Sequence, residues 1–205
     1  MDVLAAIAAE IQACRACPLW KGTRQAVPGE GSGESGIFFL GEAPGRSEDE
    51  QGRPFVGAAG QLLDEMLRGI GLDRTKVFIT NVVRHRPPGN RDPLPEEVAA
   101  CDVWLRRHLE ALGPRVLVTL GRHAMGKFFP GESISRIHGR PRVAGGVTVF
   151  PMFHPAAALR DARLRPVVAA DFASLAIFLA TAPAADPEPA RPADQMTLFG
   201  KATGG

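Results

Sequence analysis

The chain has 205 residues, 45% of them hydrophobic, and a formal net charge of +2. That is enough apolar material for one domain with a full core. The small net charge excludes an overwhelming basic field, although arginines are locally dense at Arg84, Arg86 and Arg91, at Arg106 and Arg107, and at Arg136, Arg140 and Arg142. Most such arginines serve a solvated surface; those that touch phosphate add affinity without sequence choice. No secretory signal is expected: Asp2 and Glu10 interrupt an N-terminal stretch of helical period. No run is expected to reach the roughly 20 apolar residues that span a bilayer. The expectation is a soluble, cytoplasmic monomer, in which three cysteines imply metal or core packing rather than disulfides.

Residues 2–13 predict a helix with Val3, Leu4, Ile7, Ala8 and Ile11 on one face, and Cys14 and Cys17 follow its end. Residues 24–35 are Gly-rich and polar, and 36–41 form the first strand. Glu42 to Val56 is a long loop, of a length that inside a compact domain is usually functional. A helix is expected over 58–68, a strand over 77–83, a Pro/Gly-rich loop over 86–95 and a helix over 95–112. Pro95 and two glutamates stand in the first turn of that helix. Strands over 116–120 and 147–151, a short helix over 122–129 and a last helix over 166–181 complete the order. Alternating strands and helices predict a three-layer α/β/α sandwich around a mainly parallel, four-stranded sheet. The domain spans 1–181; the Ala, Pro, Asp and Glu of 182–193 predict a flexible tail over 182–205.

Two polar loops carry the chemistry. Gly41-Glu42-Ala43-Pro44-Gly45 follows the apolar run Ile37-Phe38-Phe39-Leu40, and His154-Pro155 follows Val147-Thr148-Val149-Phe150. Open α/β sheets build their sites at such strand ends. Gly41 and Gly45 let backbone approach a flat ligand, while Pro44 stiffens the turn and Glu42 projects a carboxylate. An ordinary surface turn reads the same way. Phe55 lies in Gly52-Arg53-Pro54-Phe55-Val56-Gly57, as a core plug or as a plate for stacking a base. Asn81 interrupts an apolar strand; it caps a loop or reads a base edge with a donor and an acceptor together.

In order and spacing these elements resemble the uracil-DNA glycosylase superfamily. The run from Gly41 to Leu63 is similar to its family 4, the iron–sulfur branch, and the likeness covers residues 10 to 180. The resemblance implies an enzyme that flips deoxyuridine out of DNA, hydrolyses its N-glycosidic bond and leaves an abasic site. It implies that Phe55 stacks on uracil, that Asn81 reads its edge and that His154 donates a hydrogen bond to the O2 as negative charge develops. Backbone N–H groups near Glu42 and Ala43 would add to that stabilisation. Glu42 is the expected holder of the attacking water, with Glu48 as second choice. The loop from His154 through Pro155, Ala156 and Leu159 to Arg160 would enter the minor groove, with Leu159 or Arg160 as the wedge.

Family 4 also implies four cysteine ligands to a [4Fe–4S] cluster. Here the third position is His85, sixteen residues before Cys101, so the expected set is Cys14, Cys17, His85 and Cys101. Histidine has precedent at iron–sulfur centres, and the same set suits zinc; the cluster is the expected occupant, with a structural role. In the tail, Gln195, Leu198 and Phe199 resemble the short peptide by which repair proteins hold the replication sliding clamp. Two rivals stand beside the enzyme. One is a covalent or non-catalytic uracil-DNA-binding protein of the same superfamily. The other is an inactive, metal-stabilised accessory domain of the replication machinery.

Overall fold

The computed structural model describes residues 2–181; the calls on 182–205, including Gln195, Leu198 and Phe199, lie outside the described residues. Helix α1 (Val3–Gln12) leads through a short 3-10 turn and a glycine-rich stretch to strand β1 (Ile37–Gly41). Then follow α2 (Arg46–Gln51), α3 (Ala58–Gly69), β2 (Phe78–Asn81), α4 (Pro95–Leu112), β3 (Val116–Leu120) and α5 (Arg122–Gly126). The chain continues through α6 (Ile134–Ile137), β4 (Arg142–Ala144), β5 (Val147–Met152), α7 (Pro155–Arg160) and α8 (Arg165–Thr181).

The sheet has five strands in the order β2-β1-β3-β5-β4, parallel except for the β4–β5 pair. Sequence reading expects four strands. The fifth, Arg142-Val143-Ala144, is three residues long and exposed at the sheet edge, so no apolar alternation announces it. The four parallel strands carry nearly continuous apolar runs because helices cover both faces. Phe38 and Leu40 point to α1 and α4, where Ile7, Ile11, Leu105 and Leu109 bury them. Ile37 and Phe39 point to α3 and α8, against Leu63, Leu67, Phe172 and Leu175. This is the expected three-layer arrangement.

The run Ala162–Thr181 is long and apolar enough to cross a membrane by length and composition alone, contrary to expectation. In this fold it is a covering helix. Val168, Phe172 and Leu175 enter the core, and Phe172 stacks on Phe39 with centroids 6.3 Å apart. Two further differences concern loops: the polar run Arg46–Gln51 is helical, and the His154 loop continues at once into α7.

The chain crosses from β1 to β2 on one side and to β3 on the other, so strand order reverses at β1. That reversal opens a crevice at the carboxyl ends of the strands. The residues after β1, β2, β3 and β5 all emerge there.

Candidate active site

A cavity of about 520 Å³ occupies this crevice. Glu42, Ala43, Phe55, Asn81, His154, Ala156 and Arg160 line it, each of them expected from sequence. Gly41 sits behind the wall. A Cβ there would stand 2.4 Å from Asn81 Oδ1 and 2.6 Å from the Phe55 ring, so only glycine lets both side chains close over the end of β1. Register puts Gly41 beside Asn81 across the β1–β2 pair, and the pairing runs on through Val82 N–H to the Gly41 carbonyl at 2.9 Å.

Phe55 is held in a left-handed backbone conformation, φ 51°, which a bulky residue adopts only when its surroundings impose it. The cause is visible. Arg74 donates to the carbonyls of Pro54 and Phe55 while its guanidinium pairs with Asp64 at 2.7 Å. Gly60, in the first turn of α3, lies so close that a Cβ would fall 1.9 Å from the Phe55 oxygen. Glu48 ties the other side of the loop. Its Oε1 accepts from Val56 and Gly57 N–H, both at 2.8 Å, and its Oε2 accepts from Gly45 N–H at 3.0 Å. With both oxygens occupied by backbone, Glu48 holds the loop and is poorly placed to manage a water.

The imidazole of His154 lies 5.5 Å from the Phe55 ring at 26°, too close to admit a third ring between them. A flat ligand therefore lies against the ring surface that opens into the cavity. Ala156 N–H donates to His154 Nδ1 at 3.1 Å, so the side chain caps the start of α7. Burial, aided by Arg160, pushes the imidazole down to about 4. A neutral ring whose Nδ1 accepts must carry its proton on Nε2. Gly121, at φ 86°, packs its backbone against the His154 Cβ. Pro155 is buried, while Leu159 is exposed at the far end of α7 beside the cavity mouth.

Glu42 faces a network that sequence reading does not find. His123 Nε2 lies 3.7 Å from Glu42 Oε2 and 3.2 Å from Asp92 Oδ2. Arg122 pairs with Asp92 at 2.6 Å and donates to His123 Nε2 at 2.9 Å. Burial raises the Glu42 carboxyl, which His123 opposes and Asp92 reinforces. Glu42, Asp92 and His123 are the one group of three or more metal-capable side chains within 4.8 Å of one another among the described residues. Arg122 already supplies their positive charge. The three come from the loop before α4, the start of α5 and the end of β1, so only the fold unites them.

The family profile described as the uracil DNA glycosylase superfamily matches residues 28–174. The chain is 47% identical to a type-4 uracil-DNA glycosylase of Sulfurisphaera tokodaii, over 84% of this chain and 83% of the relative. It is 48% identical to that of Archaeoglobus fulgidus, over 84% and 91%. It is 42% identical to that of Thermotoga maritima, over 87% and 95%. The chain belongs to the uracil DNA glycosylase superfamily, beside its type-4 members.

Of the expected metal donors, Cys14, Cys17 and Cys101 meet where the segment after α1 packs on α4. Cys17 and Cys101 are buried and share a hydrogen bond, and Cys14 lies close enough to influence both. Burial pushes both buried thiols up, and at Cys101 the charge of Arg84 opposes the rise. Trp104 Nε1 donates to Cys14 Sγ at 3.4 Å, and the Arg84 backbone N–H donates to the Cys101 sulfur. His85 is buried on the turn after β2, beside Arg15, and burial holds it below the usual range. Three sulfurs and one imidazole suit an iron–sulfur cluster or zinc by chemistry. Their spacing favours the larger group, because no three of them converge within 4.8 Å, whereas sulfurs each about 2.3 Å from one zinc would.

Proposed function

We propose that this protein is a monofunctional uracil-DNA glycosylase of base-excision repair. One observation carries the reading: Phe55, Asn81 and the Nε2–H of a neutral His154 line a single cavity at the strand ends. A base within a duplex is out of reach, so the substrate is an extruded deoxyuridine. Phe55 supplies a stacking surface, fixed by its constrained backbone. Asn81 presents a donor and an acceptor to the uracil edge, where cytosine reverses the pattern. As the glycosidic bond breaks, both electrons leave with the base, and His154 donates to O2 without having to gain or lose a proton. Donors placed where charge develops are commonly worth roughly 2.7–4 kcal/mol each. Glu42, partly desolvated and facing His123, holds the water that adds to the sugar. The cavity lining contains no lysine, so no amine there would form a Schiff base and cut the strand.

Cys14, Cys17, His85 and Cys101 would hold a [4Fe–4S] cluster. When bound, it cross-links the end of α1 to the turn after β2 and to α4. Leu159 and Arg160 would wedge the duplex, Leu159 between bases and Arg160 on phosphate.

An oligonucleotide with one uracil tests the reading. Free uracil should appear, with a strand break only after hot alkali. An SDS-resistant protein–DNA adduct without free uracil would instead establish covalent capture, and binding with neither product an accessory domain. Either result overturns the hydrolase.

A further inference from the structure

Among the described residues Arg84 is the largest fully buried side chain. It lies between the cavity and the cysteines. Nη1 donates to the main-chain carbonyl of Asn81, Nη2 stands 3.4 Å from His108 Nδ1, and Nε has no partner. Among the described residues no carboxylate lies within ion-pair distance of it. The negative charges in its surroundings would be those of Cys101, Asp102 and Cys14. Asp102 is engaged by Lys127, and by Arg106 at 3.4 Å. His108 offers no charge either, since burial pushes it down to about 3. An arginine stays protonated in proteins, and a buried, unpaired charge is strongly disfavoured. Thiolates formed when these cysteines take up the cluster are the anions left to balance it.

We propose that Arg84 is the buried counter-charge of the iron–sulfur cluster and the strut that ties it to the uracil-reading Asn81. This rests on the cluster assignment above. An oxidised [4Fe–4S]2+ core with three thiolates and a neutral imidazole carries a net charge of about −1, which one guanidinium balances. His85 thus fits a site whose one fully buried arginine, among the described residues, is Arg84, where a fourth thiolate would leave an excess of negative charge. Because the same guanidinium holds the Asn81 carbonyl, the cluster acts on the cavity through Arg84. Arg84 is a positioning residue, since it does not line the cavity.

The test uses the full chain, purified without oxygen, and the variants Arg84→Met and Arg84→Lys. Three quantities are read. They are iron and sulfide per chain, the midpoint potential of the cluster, and affinity for an oligonucleotide bearing 2′-fluoro-deoxyuridine, which resists hydrolysis, against one bearing thymidine. A nearby cation favours the reduced cluster, so Arg84→Met should move the potential negative and reduce the preference for the uracil analogue several-fold. Arg84→Lys keeps the charge without the fork. It should retain a potential near wild type yet lose preference for uracil. Wild-type potential and wild-type selectivity in both variants would overturn the proposal while leaving the cluster standing. Wild-type protein without iron and sulfide would overturn the cluster and the proposal together. If Arg84→Met does not fold, Arg84→Lys decides: unchanged selectivity there refutes the strut.

Discussion

In the proposed reaction His154 concentrates the chemistry in one side chain. Its ring is neutral above about pH 4, and its Nδ1 is occupied by Ala156 N–H, so it is a donor rather than an acid or a base. His154→Ala should lower single-turnover excision roughly 10²–10³-fold, measured by uracil release at saturating enzyme. Wild-type excision should show no break near pH 6.5 from this group. A second buried histidine, on α4, bears on stability. His108 is pushed from 6.5 down to about 3 by burial. As pH falls below 6.5 the unfolded chain therefore takes up a proton that the folded chain refuses, and stability declines through that window. Between pH 7 and pH 5 the loss should be about 2 kcal/mol from His108 alone. Urea midpoints at the two pH values, with His108→Gln flattening the difference, check this.

At the level of elements, α2 and the following loop depend on Glu48. Its carboxylate accepts three backbone N–H groups across a loop that carries both Glu42 and Phe55. Glu48→Ala strands those donors and should cost about 2 kcal/mol, read from urea unfolding, with KM for uracil-DNA rising as Phe55 loses its support. Why Glu48 looked like a water handler in the sequence is instructive. A polar run such as Arg46–Gln51 has no apolar period, so neither its helix nor the inward turn of Glu48 is legible. The strands feeding the site were legible because burial on both faces leaves uninterrupted apolar runs. Gly41, Asn81 and His154 were legible because each breaks or ends such a run, and Cys14 with Cys17 by spacing. Asp92, Arg122 and His123 carry no local signal, since their meeting with Glu42 depends on three segments converging. The constrained φ of Phe55 is likewise set by Arg74 and Gly60, distant in sequence. Leu159 sits at the exposed end of α7; Leu159→Ala should slow excision from duplex DNA about tenfold and leave single-stranded substrate nearly unaffected.

Across the whole molecule a net charge of only +2 means that DNA affinity arises from a few placed cations. Arg160, which lines the cavity, is proposed as one. Arg160→Ala should weaken binding to all sequences alike and reduce the slope of log affinity against log salt by about one, measured by fluorescence anisotropy over a salt series. The six residues of α7 also have an effect at this scale. In the proposed reaction the helix opens on the imidazole that would steady the departing base and closes on the side chains that would pry the strands apart. It is too short to bend between its ends, so the two tasks are mechanically interlocked. On that reading a protein skating along undamaged DNA with its wedge withdrawn would also have its donor out of alignment, and hydrolysis would wait until the helix is seated.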